Sequence, residues 1–113
     1  MNCWSNMNRG LIDAIKEKAR ELLPVGSRVV LFGSRARNEA RQDSDWDLHI
    51  LIPGERELKF QEWSALSIEF DDLGANFNEI VSTIVYSTFG WAKRKITMFY
   101  KNVEHDKIII YQS

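Results

Sequence analysis

The sequence predicts an α/β fold in which helices cover a small mixed β-sheet. Three observations carry that expectation. Apolar residues recur at helical spacing between residues 8 and 23, short strand-like runs fall at 28–32, 46–52 and 79–86, and the two kinds of segment alternate along the chain. At 113 residues the chain is expected to form one domain, large enough to bury a core and too small for a separate substrate-binding domain.

Residues 1–7 show no periodicity and are expected to be a loose end, with Trp4 their sizeable apolar group. Between 8 and 23, Leu11, Ile12, Ile15, Ala19 and Leu22 line one face of an amphipathic helix, which Pro24 and Gly26 stop. A strand then starts at Ser27 or Arg28 and runs through the apolar Val29-Val30-Leu31-Phe32. After Gly33-Ser34, residues 35–39 fit a short helix and 40–44 a polar loop leading into a second strand, 46–52, which Pro53-Gly54 ends. Residues 55–73 predict a long helix with Phe60, Trp63, Leu66, Phe70 and Leu73 three or four apart, an aromatic stripe that reads as core. Gly74 and Asn76 suit its C-terminal end. Residues 79–86 are apolar enough for a largely buried third strand. Ser87 caps a short turn through Trp91, Thr97 caps a final helix to about His105, and 108–111 close the chain as a strand at a sheet edge.

Composition excludes several roles. With 15 basic and 16 acidic residues the net charge is −1, which leaves no electrostatic footprint for long nucleic acid. Cys3 is the single cysteine, so neither an intramolecular disulfide nor a cysteine-based zinc site is expected, and a cytoplasmic location is the default. No secretory signal and no apolar run near the roughly 18 residues of a membrane helix is present, so no export and no membrane span are expected.

The chemistry concentrates between Leu31 and Ile52, in LFGSRARNEARQDSDWDLHILI. Side chains alternate along a strand, so Asp45 and Asp47 project from one face about 6.5–7 Å apart, with Trp46 and Leu48 on the other. Two bare carboxylates at that range repel by about 2–3 kcal/mol at an effective dielectric near 20, and a cation reverses that cost. Oxygen ligands of this kind suit Mg²⁺ or Mn²⁺ rather than Zn²⁺. At the other end, Gly33 permits a tight turn and close backbone approach, and Ser34 stands where a helix would begin. Amides of Gly33 and Ser34, with the Ser34 hydroxyl, can then hold the phosphates of a nucleotide triphosphate. Arg35, Arg37 and Arg41 bring positive charge to the same region. His49 shares the face of Asp47 and so is a candidate neighbour of the metal, although a partly buried strand histidine is the plainer reading. Lys93-Arg94-Lys95 reads as solvated surface, as does His105.

Gly33-Ser34, ten intervening residues and then Asp45-x-Asp47, set within GSRAR and SDWDL, resemble the minimal nucleotidyltransferases, small relatives of kanamycin nucleotidyltransferase and polymerase beta. FYKNV and the closing apolar strand extend the resemblance over nearly the whole chain. It implies the nucleotidyltransferase fold, ATP as substrate, Ser34 on its triphosphate, and Asp45 and Asp47 on Mg²⁺. It also implies a third carboxylate on a later strand, facing that pair. The following apolar run puts this position near Thr83, which cannot act as a base at neutral pH. Glu79 shares the face of Thr83 but lies about 13 Å away along the strand; it is the candidate third acid, with a strand-entry charge in solvent as its alternative.

The function these readings favour is transfer of AMP from Mg-ATP, with pyrophosphate leaving. The resemblance further implies an acceptor, since stand-alone domains of this kind act as antitoxins that AMPylate a tyrosine of a small helical HEPN ribonuclease. Two alternatives stand beside it: an antitoxin that neutralises its partner by contact with a degenerate site, and a stand-alone enzyme acting on a small molecule. Against the last counts the lack of a segment that would enclose a drug.

Overall fold

The computed structural model describes residues 8–113 and places four strands and four helices among them. The expected loose end, residues 1–7 with Cys3 and Trp4, lies outside the described residues.

Helix α1 (Arg9–Leu22) starts where the Asn8 side chain accepts a hydrogen bond from the Leu11 N–H at 3.0 Å, and it buries Leu11, Ile12, Ile15 and Ala19. Strand β1 (Arg28–Phe32) leads to β2 (Trp46–Ile52), which pairs antiparallel with it in a register that sets Phe32 opposite Asp47 and Val30 opposite His49. Helix α2 (Phe60–Asp71) and a 3-10 turn (Asp72–Phe77) carry the chain to β3 (Val81–Ser87), parallel to β2. Helices α3 (Thr88–Ala92) and α4 (Met98–Asp106) follow, capped as expected by the hydroxyls of Ser87 and Thr97. Strand β4 (Ile108–Gln112) closes the sheet on the free side of β1, giving the order β3-β2-β1-β4. This is the mixed, helix-covered sheet the alternation predicts, with β4 at an edge.

Two cores lie on the two faces of the sheet. Trp46, Leu48 and Ile50 of β2 meet α1 and Phe70 of α2 on one face. On the other, Val30 packs with Trp91 of α3 and Val103 of α4, flanked by Phe32, Tyr86, Phe99 and Tyr100.

Four expectations need correction. Residues 35–39 form successive turns rather than a helix, because Asn38 adopts a left-handed conformation (φ +60°) that ends helical propagation after one turn. The long helix begins at Phe60, not near residue 55, and it tightens into 3-10 geometry from Asp72. Its aromatic stripe is not all core: Phe70 is buried, whereas Phe60 is 69% exposed and meets Trp63 edge-to-face at the surface. Finally, β3 starts at Val81 and alternates buried with open positions, as an edge strand must when one face is covered more than the other. Glu79 therefore precedes the strand.

Candidate active site

Strand parity builds the carboxylate pair. Trp46 points into the α1–α2 core, so Asp47, one residue on, faces the opposite side, and Asp45, just before β2, is exposed. Burial raises the pKa of Asp47 above the usual carboxylate range, the neighbouring Asp45 raises it further, and the charge of Arg37 opposes both. The two carboxylates thus sense each other, as a divalent cation site requires.

Gly33 stands against this pair. It leaves β1 with φ +77°, and a β-carbon built on it would lie 2.5 Å from Asp47 Oδ2. Any side chain would thus be both strained and in collision with the carboxylate. Ser34 follows, half-buried, its carbonyl accepting the Glu39 N–H at 2.8 Å while the Gly33 carbonyl accepts from Arg37 N–H at 3.1 Å. The expected helix N-terminus at Ser34 is accordingly a tight turn. The structure brings Gly33, Asp45 and Asp47 together, with Ser34 next along the turn.

Arg35 goes elsewhere. Its Nε and Nη2 donate to the Ser44 carbonyl at 3.1 and 2.8 Å, its Nη2 lies 3.6 Å from Glu79 Oε1, and its guanidinium lies over the Trp46 ring. With its side chain only 12% exposed, Arg35 braces the loop that delivers Asp45. Sequence spacing could not separate it from Arg37, which is the arginine whose charge reaches Asp47.

Glu79 is held by that same Arg35, in a groove also lined by Gln42, Ser44, Phe77 and Asn78 and not by Asp45 or Asp47. Among the described residues no three His, Cys, Asp or Glu side chains gather as a metal-binding group, and the structure does not bring Glu79 together with the pair. Thr83 is also misplaced by the sequence reading. It pairs with Leu48 and is buried on the core face, its carbonyl accepting from Ser67 Oγ at 2.8 Å. The β3 residue in register with Asp47, and on its face, is Ser82, which is exposed.

His49 shares the face of Asp47 but is fully buried, its ring 4.1 Å from that of Trp91 and 5.6 Å from that of Tyr86. Burial, with Arg28 adding to it, lowers its pKa to about 4, so it sits neutral in an aromatic core. Lys93 and Arg94 are paired with Glu57, as surface charges commonly are.

The donor set fits Mg²⁺ or Mn²⁺: two carboxylates whose mutual repulsion a cation relieves, beside a glycine that leaves backbone room for phosphate oxygens to complete the coordination. No helix among the described residues is long and apolar enough to cross a membrane.

Among curated proteins none matches the chain. Solved structures of similar fold include a toxin–antitoxin with AMP-PNP (TM-score 0.63, 17% identity, 90% of this chain and 73% of the other). Others are the toxin–antitoxin MntA–HepT (0.59, 15%, 94% and 74%) and a tri-AMPylated Shewanella oneidensis HEPN toxin in complex with an MNT antitoxin (0.60, 16%, 95% and 74%). A family model described as a nucleotidyltransferase domain matches residues 12–106. The chain belongs to the nucleotidyltransferase domain family.

Proposed function

We propose that this nucleotidyltransferase moves AMP from Mg-ATP to a tyrosine hydroxyl of a small helical HEPN-type toxin, acting as its antitoxin in the cytoplasm. The observation that carries the reading is the packing of Gly33 against the Asp47 carboxylate beside Asp45. It sets a side-chain-free turn against two neighbouring carboxylates, which supports a site for a cation and a phosphate chain. The similarity to toxin–antitoxin structures, one with AMP-PNP and one with an AMPylated HEPN toxin, supports the nucleotide and the partner.

In this reading Asp45 and Asp47 hold the metal ions, and the Gly33 and Ser34 amides with the Ser34 hydroxyl hold the triphosphate tail. The metal supplies charge neutralisation at the α-phosphate and the leaving oxygen. The acceptor oxygen bonds to the α-phosphorus, the bond to pyrophosphate breaks, and the hydroxyl proton passes to water. With no third carboxylate beside the pair among the described residues, a phenol, with a pKa of about 10, suits the site better than an aliphatic alcohol.

That same missing acid favours a second reading, neutralisation of the toxin by contact alone. ATP labelled at the α-phosphate, incubated with Mg²⁺ and a HEPN partner, separates the two. Label in the partner that Asp47→Asn abolishes supports transfer. Tight partner binding with no label under Mg²⁺ or Mn²⁺ overturns transfer in favour of contact.

A further inference from the structure

Arg37 leaves the turn after β1 and is gripped by two acids: Nε donates to Glu39 Oε1 and Nη1 to Asp106 Oδ2, both at 2.7 Å. The two are not equivalent. Glu39 is two residues away with a side chain 64% exposed, whereas Asp106 comes from the end of α4, 69 residues along the chain, with a side chain 6% exposed. As the last residue of α4, Asp106 also faces the negative end of the helix dipole. A buried carboxylate in that position is tolerable only with a cation beside it, so Asp106 does not release Arg37 cheaply.

A guanidinium carries five N–H groups in a rigid fork. Glu39 and Asp106 occupy Nε and one hydrogen of Nη1, and among the described residues no acceptor engages Nη2. Arg37 can therefore keep both acids and still receive a phosphate oxygen, with its orientation fixed before the ligand arrives.

We propose that Asp106 is a positioning residue for the phosphate end of the site, stationing Arg37 on the turn where its backbone N–H bonds the Gly33 carbonyl, so that its free N–H groups meet the triphosphate tail of the nucleotide. The inference rests on the nucleotide reading above. It ties α4 to the turn after β1 and gives the far end of the chain a part in binding.

The test is calorimetric titration of the whole chain with Mg-ATP and, separately, with AMP. Asp106→Asn is expected to weaken Mg-ATP binding by about three- to tenfold, the scale of one oriented hydrogen bond, and to leave AMP binding unchanged. Asp106→Glu, which keeps the charge, retains the parental affinity. In an Arg37→Ala background Asp106→Asn has no further effect, because the carboxylate acts through the guanidinium. Unchanged or tighter Mg-ATP binding in Asp106→Asn overturns the proposal, and so does an equal loss for ATP and AMP, which marks a merely structural residue. A parent chain that binds no Mg-ATP overturns the nucleotide reading itself, and this inference with it.

Discussion

Gly33 packs directly against Asp47: the backbone of one lies so near the carboxylate of the other that a β-carbon on Gly33 would stand 2.5 Å from Oδ2. The β1–β2 register, with Phe32 opposite Asp47, makes that approach unavoidable at the strand end. Gly33→Ala is therefore expected to lose about 1–3 kcal/mol of stability from its φ of +77° alone, and to weaken nucleotide binding by displacing Asp47. Thermal unfolding and an Mg-ATP titration of the variant check both effects; parental affinity would show that the close approach is not used.

Arg35 holds the Ser44 carbonyl and faces Glu79. Arg35→Gln removes the bonds to the Ser44 carbonyl and the charge beside Glu79, and is expected to cost about 2 kcal/mol of stability. Urea unfolding measures it. A variant as stable as the parent that no longer binds Mg-ATP would return Arg35 to the phosphate-binding set.

Glu79→Gln is expected to leave AMP transfer near the parental rate, because Glu79 faces Arg35 in a groove that the aspartate pair does not line. A fall of about 10²-fold, the usual worth of a general base, would restore it as the third acid. Thr83→Asp buries a carboxylate in the core and is expected to destabilise by about 3 kcal/mol or more. Ser82→Asp, in register with Asp47 on the open face, is the substitution expected to tighten Mn²⁺ binding and raise transfer. Denaturation curves, Mn²⁺ titration and label transfer on the three variants decide among these positions.

These last positions show where the sequence stops being readable. Periodicity places α1, the β2 strand and the two hydroxyl caps, because helix and strand repeats are local properties that burial reinforces. The start of β3 is not local. Whether Thr83 or Ser82 faces Asp47 depends on pairing parity with β2, and a one-residue slip exchanges the faces. Likewise the spacing of Arg35 and Arg37 does not say which of them meets the nucleotide, because the turn ending at Asn38, and not a regular helix, sends one guanidinium over Trp46 and the other to Asp106. The approach of Gly33 to Asp47 was legible because each residue type has a physical reason to be there, whereas the residue facing Asp47 from β3, Ser82, was not.

His49 gives a pH signature. Its folded pKa of about 4 lies below the ordinary histidine value of 6.5, so the unfolded chain binds the proton first as pH falls. Its contribution is fully present above pH 6.5, is lost as pH falls towards 4, and reaches about 3 kcal/mol in all. Between pH 7.5 and 5.5 the expected loss is about 1.4 kcal/mol. Urea unfolding in metal-free buffer measures it, and His49→Phe, which keeps an aromatic ring against Tyr86 and Trp91, is expected to remove that slope. Arg28, Glu104 and Tyr86, the charged or titratable neighbours of the ring, stay in place in the variant and serve as its internal control. An unchanged slope would place the titration elsewhere.

The most direct measurement is calorimetry of ATP binding with Mg²⁺ and with chelator, on the parent chain and on Asp45→Asn and Asp47→Asn. The parent is expected to bind ATP with Mg²⁺ and to lose that binding with chelator, since triphosphate and carboxylates then repel. Each variant is expected to bind weakly whether or not Mg²⁺ is present. Mg-ATP affinity unchanged in both variants would contradict the account, because it would remove the aspartate pair from the nucleotide site.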